Sequence, residues 1–520
     1  MEKHFNTTGL CVPRKHYMVN IDNKIKQIKK LIDRESYFVI NRPRQYGKTT
    51  TLNQIKNHLK NEYVVISISF EGIGDLIFTD EKLFCPNVLD IMADALEISD
   101  DEKAKTLREL SKKVSSLKEL SKAITKFVNS SLKEVILLID EVDKSSNNQL
   151  FLSFLGMLRN KYLLRNAEQD CTFKSVILAG VHDVKNLKLK IRNEEISKYN
   201  SPWNIAVNFN IDLSFNSSEI ETMLEDYATC NKLSMNLKKL SERIYYFTEG
   251  YPFLVSRICQ IIDEDFYADE KRSWTIKDID RAVKNIIAEV NTLFESLVKN
   301  LENNSDLYDL AHRILVKGEN IPFNALNPLI NLGLTYGFFK EENGSVAISN
   351  KIFEEIIYNY MLSKMITKTR DIDNYNFKYN FIEENGSLNF PKILSRFQQF
   401  IKEQYSIKDL NFIENNGRLL FLAFVKPIIN GIGFDFKEVQ ISEEKRLDLV
   451  ITYNNFKYIV ELKLWRGKEY HEKGIKQLCD YLDINGLDEG YLVIFNFNKN
   501  KEYKEESIEI GGKNIVAVYV

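Results

Sequence analysis

The stretch SYFVINRPRQYGKTTTL, residues 36–52, decides the fold. Its first six residues read as a short buried strand. From Lys48 onward Leu52, Ile55 and Leu59 recur at helical spacing, with Val64 close behind. Between strand and helix stands Gly47-Lys48-Thr49, the second half of a phosphate-binding loop of the form GxxxxGK[ST]. Each residue type has a reason. Gly47 lets the backbone approach a phosphate closely. Lys48 would reach the β- and γ-phosphates of ATP, the Thr49 hydroxyl would hold Mg²⁺, and Thr50 belongs to the same nucleotide-binding turn. The helix N-terminus adds unpaired N–H groups and the positive end of its dipole. Arg42 stands where the first glycine of the pattern belongs.

Working outward, YVVISIS (63–69), EVILLI (134–139) and KSVILA (174–179) are further apolar strands, and a long polar helical region spans 86–131. Strands alternating with helices predict a parallel α/β sheet, and continuous apolar runs fit strands covered on both faces. VILLI runs into Asp140-Glu141. At the carboxyl end of a strand, Asp140 would hold Mg²⁺ and Glu141 would act as general base, orienting the attacking water. Asp143 reads as structural. His182 and Asp183 are loose candidates for a polar sensor beyond the 174–179 strand. Arg159, Arg165 and Arg192 are candidate arginine fingers, each better read as a surface or ion-pair residue.

From about 217 the pattern turns helical. Ser217 or Ser218 with Glu221 looks like a helix start, and Gly250-Tyr251-Pro252 follows inside this helical lid. Residues 306–362 read as helices and then a hairpin turning at Asn343-Gly344, a winged-helix pattern. A polar, Asn- and Asp-rich stretch, 366–390, reads as a linker. Beyond it helices are expected near 391–404, 417–429 and 470–483, and strands near 434–441, 446–453, 456–464, 490–497 and 514–520. No internal repeat is visible.

This last region holds a second constellation, RLDLVITYNNFKYIVELKLW. Asp448 lies in one strand, Glu461 and Lys463 in the next, with Asn454-Asn455 at the turn. Two residues apart, Glu461 and Lys463 share a strand face, flanked by Ile459, Leu462 and Leu464. Charges on an otherwise apolar strand are costly without a purpose. Asp448 and Glu461 make an oxygen-rich site for Mg²⁺ or Mn²⁺, Lys463 would stabilise charge on a phosphodiester in its transition state, and Glu438 could complete the ligand set. Gln477 follows on a helix, with Tyr481 one turn further along the same face.

The bulk numbers set bounds. At 520 residues the chain is too long for one core. A net charge of −2 excludes a global positive field, and residues 391–520 balance 19 basic against 19 acidic side chains, so any nucleic-acid contact must be local. The six cysteines, Cys11, Cys85, Cys171, Cys230, Cys259 and Cys479, never stand at CxxC spacing, which argues for reduced thiols. Neither a signal peptide nor an 18-residue apolar run is read, so a cytoplasmic protein without a membrane partner is expected.

These residues, with the blocks HYMVNI, LLIDEVDKSSN, FLGMLRNKYLLRN, SVILAGVHDVKNLKLKIR, NSPWNIA, EGYPFLVSRIC, ELKLWRGKEYHEKGIKQLCDYLD and GYLVIFNF, resemble along the whole chain a bacterial group of AAA-like, STAND-type P-loop ATPases fused to a C-terminal PD-(D/E)xK nuclease. The resemblance implies an α/β protein with a P-loop NTPase core at 1–212, a helical lid at 213–295, a winged helix at 296–365, a linker at 366–390 and a nuclease-like α/β domain at 391–520. It implies Lys48, Thr49, Asp140 and Glu141 as nucleotide residues, and Asp448, Glu461, Lys463 and Gln477 as nuclease residues. Gly250-Tyr251-Pro252 resembles the GxP element that closes on nucleotide in STAND ATPases. The sequence departs from the nuclease pattern at Leu447, where proline is common, and in lacking an upstream helical glutamate better placed than Glu414. The expectation is ATP-gated cleavage of nucleic acid, DNA rather than RNA, in a role such as defence against foreign DNA. The alternative is a regulatory ATP switch whose C-terminal domain binds nucleic acid or protein without cutting. Oligomeric state is left open.

Overall fold

The computed structural model describes residues 3–145, 148–181, 203–316, 319–366, 381–405, 410–429, 447–453, 456–465, 467–498 and 501–520. They fall into two compact units, Met1–Leu293 with Asn331–Phe338 and Asn350–Ile352, and Phe294–Ile330 with Phe339–Ser349 and Phe353–Val520.

In the first unit α1 (Asp22–Asp33) precedes β1 (Phe38–Asn41), α2 (Lys48–Leu59) and β2 (Val64–Ser69). The polar helical region resolves into α3 (Glu81–Leu96), α4 (Asp101–Ser111) and α5 (Leu117–Ser130), because Asp80, Asp100 and Ser116 each cap a new start by accepting a backbone N–H. Then come β3 (Val135–Asp140), the single turn α6 (Val142–Ser145), α7 (Gln149–Asn166) and β4 (Ser175–Gly180). The sheet is parallel in the order β1-β4-β3-β2, and a parallel bridge from Phe38 to Val207 lies on its outer side. Asn41 pairs with Gly180 and Ser69 with Asp140, so the strands end together along one carboxyl edge. All six residues of β3 and of β4 are buried, which explains their unbroken apolar sequence.

One polar ring pins this unit. Lys161 is fully buried, and its Nζ donates to Asp170 and to Thr125, each at 2.6 Å, while Thr125 donates to Asp170 at 2.7 Å. Burial pushes the Asp170 carboxyl up, but hydrogen bonds from Lys161 and Thr125 outweigh it and hold the group below the ordinary carboxylate range. A depressed folded pKa contributes stability above the unfolded value and loses it as pH falls through the folded one. Asp170→Asn, which strands a buried ammonium, is therefore expected to cost about 3–5 kcal/mol. In urea melts it should also flatten the acid limb of stability; a melt matching wild type at pH 7 would contradict this.

The helical stretch after the sheet contains α8 (Ser217–Asn231), α9 (Leu237–Thr248), α10 (Pro252–Gln260) and α11 (Ile276–Ala288). Its first helix is capped one residue earlier than the sequence suggests. Asn216, not Ser217 or Ser218, accepts from Glu219 N–H at 2.8 Å, and the Glu219 carboxylate returns to Asn216 N–H at 2.9 Å. The reciprocal bond needs an acid at the third helical position, which Glu219 supplies and Glu221 does not.

Then follow α12 (Thr292–Glu302), α13 (Ser305–Leu315), α14 (Pro328–Tyr336), the hairpin β5 (Phe339–Glu342) and β6 (Ser345–Ile348), and α15 (Lys351–Ile366). Helices followed by a two-stranded wing match the sequence pattern.

The C-terminal fold has α16 (Phe390–Gln404), α17 (Leu410–Ile429), β7 (Leu447–Tyr453), β8 (Phe456–Leu464), α18 (Lys468–Asn485), β9 (Glu489–Phe495), β10 (Glu505–Ile510) and β11 (Lys513–Tyr519). The sheet order is β10-β11-β9-β8-β7, antiparallel at both edges and parallel within. At the end of the expected linker, Ile382 and Leu388 form a bridge, and Leu388 N–H donates to Tyr458 Oη at 2.6 Å. Phe390 and Phe397 pack on Tyr491 and Phe495 from one side of the sheet. Ile475, Leu478 and Leu482 of α18 pack on Ile459, Leu492 and Ile494 from the other. Glu461 and Lys463 alternate with Val460 and Leu462, so they share the α18 face with Ile459. Leu462 and Leu464 belong to the opposite face and do not flank them as the sequence reading had it. The strand expected at 434–441 lies outside the described residues.

Candidate functional site

Gly47 caps α2 with φ of 74°, a left-handed conformation that a side chain would strain. Lys48 folds back over the loop, its Nζ donating to the Arg42 carbonyl at 2.9 Å and the Pro43 carbonyl at 2.7 Å. Burial lowers the Lys48 pKa, against the pull of Asp143, Glu141 and Asp140. Thr49 Oγ1 donates to Asp140 Oδ2 at 2.6 Å, so the loop and the end of β3 meet directly. Glu141 follows with φ of 54°, the backbone turning sharply at that residue, and its N–H donates to Asp140 Oδ1 at 2.9 Å. Thr50 Oγ1 faces the N-terminal segment, accepting from Cys11 N–H at 3.3 Å.

Arg42 does not fill the loop. Its N–H donates to the Gly180 carbonyl at 3.1 Å, and its guanidinium donates to the carbonyls of Asn41 at 2.7 Å and Ile211 at 2.6 Å. It lies 5.3 Å over the Phe209 ring. The residue replacing the first glycine is thus tied to the sheet edge. Asp143, read as structural, accepts from Val181 N–H at the end of β4. Arg165 donates to the carbonyls of Phe173 at 2.6 Å, Lys174 at 2.8 Å and Glu35 at 3.0 Å, which makes it a clamp between segments. The buried Nε of Arg159 has no hydrogen-bond partner among the described residues. His182, Asp183 and Arg192 lie outside the described residues.

The Gly250-Tyr251-Pro252 element lies against this loop. A Cβ at Gly47 would stand 3.9 Å from Pro252 Cβ and Cγ. Tyr251 Oη donates to the Arg44 carbonyl, and its ring meets Tyr46 edge-on at 4.8 Å. Gly250 has φ of 70°, and a Cβ there would stand 1.8 Å from the Phe215 carbonyl oxygen, so only glycine fits. Sequence reading missed the tyrosine pair; two aromatics 205 positions apart carry no joint signal.

In the C-terminal fold Asp448 pairs directly with Glu461 in the β7–β8 ladder, which puts the two positions on one face of the sheet. Lys463 Nζ lies 3.1 Å from Glu461 Oε1, with the two residues 7% and 1% exposed. Gln477 lies on α18, and its buried Oε1 accepts no hydrogen bond among the described residues. Glu438 lies outside the described residues. Leu447 opens β7 and Glu414 lies on α17. All six cysteines are free, and no described helix is long and apolar enough to cross a membrane.

A P-loop closed by an aspartate at a parallel-sheet edge, followed by a mixed sheet carrying an Asp-to-Glu-x-Lys pairing, defines an ATP-binding P-loop ATPase with a nuclease-type appendage. The chain belongs to the family of the AAA-like domain, whose model matches residues 13–359; residues 430–506 match the PD-(D/E)XK nuclease superfamily. Among solved structures it is similar to the Walker-type ATPase of Pyrococcus abyssi, at 13% identity over 68% of this chain and 99% of that one, with a TM-score of 0.47. It is similar also to the Thermotoga maritima RuvB Holliday junction branch migration motor, at 13% identity over 65% and 95% with a TM-score of 0.34. The Aeropyrum pernix ORC2 protein is similar at 13% identity over 66% and 93%, with a TM-score of 0.38. No curated protein sequence matches the chain.

Proposed function

We propose that this chain is an ATP-gated phosphodiesterase: nucleotide bound at Lys48, Thr49 and Asp140 controls cleavage of DNA at Asp448, Glu461 and Lys463. The observation that carries the cleavage reading is a carboxylate–ammonium pair buried beside an aspartate position of the preceding, paired strand. Burying such a pair costs desolvation energy that apolar residues would avoid, so its retention calls for a chemical purpose. The test is plasmid degradation by wild type and by Lys463→Ala, with Mg²⁺ or Mn²⁺ and with or without ATP. Equal degradation by both would remove the cleavage reading.

Both sites fit a divalent cation by donor chemistry. Thr49 and Asp140 offer a hydroxyl and a carboxylate in direct contact, and Asp448 and Glu461 are hard carboxylate donors at paired positions. When bound, a divalent ion neutralises phosphate charge and lowers the pKa of water. Lys48 grips the β- and γ-phosphates, exchanging its loop carbonyls for phosphate oxygens. Glu141 orients the attacking water and accepts its proton. At the second centre Lys463 stabilises the charge that develops on the phosphodiester, and Gln477 positions the substrate or water through its carboxamide. Pro252 and Tyr251 couple the nucleotide to the lid. We assign ATPase core, lid, winged helix, linker and nuclease-like domain to 1–212, 213–295, 296–365, 366–390 and 391–520. A cytoplasmic role in defence against foreign DNA fits a nucleotide-controlled cutter.

Glu141→Gln separates binding from hydrolysis. The amide keeps the shape and loses the base, so ATP binding should persist while turnover falls about 10²–10⁴-fold. Phosphate release together with a nucleotide titration checks it; full turnover in the variant would assign the base elsewhere.

A further inference from the structure

Gly474 lies inside α18, buried, where the helix crosses β8. Its φ is an ordinary helical one, so the backbone does not require glycine there. Glycine is also a poorer helix former than alanine. The space beside it gives a different reason for a residue without a side chain. A Cβ built at 474 would stand 1.4 Å from Lys463 Nζ, 2.4 Å from its Cε and 2.9 Å from its Cδ. Three consecutive atoms of the lysine therefore run through the space that a methyl group would occupy.

We propose that Gly474 is the positioning residue for Lys463: the missing Cβ is the channel through which the ammonium reaches Glu461. The catalytic consequence rests on the cleavage reading above; the steric claim does not. Either the helix or the lysine must yield when the channel is filled. The helix is held, because Ile475, Leu478 and Leu482 are buried against Ile459, Leu492 and Ile494. The lysine is an unbranched chain with rotatable bonds, so it leaves, and its 3.1 Å contact with Glu461 goes with it. Gln477 follows three positions later, on the same helix face. Gly474 and Gln477 thus make one strip of α18 that serves this pair, small where the lysine passes and polar one turn on.

The experiment uses the full chain as wild type, Gly474→Ala, Lys463→Ala and the double variant. Plasmid cleavage with Mn²⁺, ATP turnover and the thermal midpoint are measured for each. Gly474→Ala is expected to lose about a hundredfold in cleavage, the order seen when one charge-stabilising donor is removed, with ATP turnover unchanged. The double variant is expected to cleave no worse than Lys463→Ala. The midpoint carries the sharper signature. With Lys463 present, alanine at 474 lowers it; in the Lys463→Ala background the channel is empty and alanine at 474 raises it through helix propensity. Shifts of the same sign in both backgrounds would overturn the positioning role, as would wild-type cleavage by Gly474→Ala. If wild type fails to cleave, the cleavage reading falls, while midpoint shifts of opposite sign still establish the channel.

Discussion

Lys48→Ala is expected to reduce ATP turnover by about 10²–10³-fold and to weaken nucleotide binding. The ammonium now rests on the carbonyls of Arg42 and Pro43, at 2.9 and 2.7 Å, and burial makes its charge expensive to hold. A triphosphate offers stronger, anionic acceptors in place of two neutral ones, so the gain on exchange goes into binding and into the transition state. Without Lys48 the loop faces the phosphates beside Asp140, Glu141 and Asp143, three acids whose influence on Lys48 is attractive and on phosphate repulsive. The loop itself should survive, because Gly47, the Thr49–Asp140 hydrogen bond and the Arg42 tie to Ile211 are independent of Lys48. Phosphate release and a fluorescent-nucleotide titration measure the two losses. Turnover within a few-fold of wild type would mean that the site does not work as a phosphate-binding loop. The contrast with Glu141→Gln is diagnostic: one variant loses binding along with turnover, the other keeps binding and loses turnover.

The nucleotide core was readable because its signals are local. Strands β3 and β4 are buried on both faces and so are apolar without interruption, a pattern few other elements produce. The acid ending β3 and the GKT tripeptide opening α2 are short motifs, but their order along the chain matches their adjacency at the carboxyl edge of the sheet. What escaped depended on partners distant in sequence. Strand β10, EESIEI, holds three acids and only two apolar residues on an exposed edge, and pairing with β11 makes it a strand. Those acids suit an edge that must resist pairing with other chains. Arg42 looked like a defect in the loop, until the carbonyl of Ile211 gave its guanidinium another destination. Gly474 carries no signal in the sequence, and only the path of a side chain eleven residues earlier draws attention to it.

Lys463→Ala should lose about 10²–10³-fold in cleavage, the order for removing one donor to a developing oxyanion. It should also destabilise the C-terminal fold, which is the less obvious half. Glu461 is 1% exposed, on the sheet face it shares with Ile459, the face on which α18 packs. Removing its cationic neighbour leaves a buried carboxylate without that counter-charge, a change worth about 3–5 kcal/mol. Lys463→Met keeps the length of the chain and should lose cleavage equally while stranding the same charge. Glu461→Gln combined with Lys463→Met removes both charges at nearly constant volume and should recover much of the stability with no cleavage. A pair kept for stability alone would give the opposite ordering, with the double variant no more stable than either single. Urea melts and plasmid assays on the three variants therefore separate a pair retained for chemistry from one retained for the fold. A double variant that regains stability and stays inactive identifies a charge pair maintained against the interests of its own core.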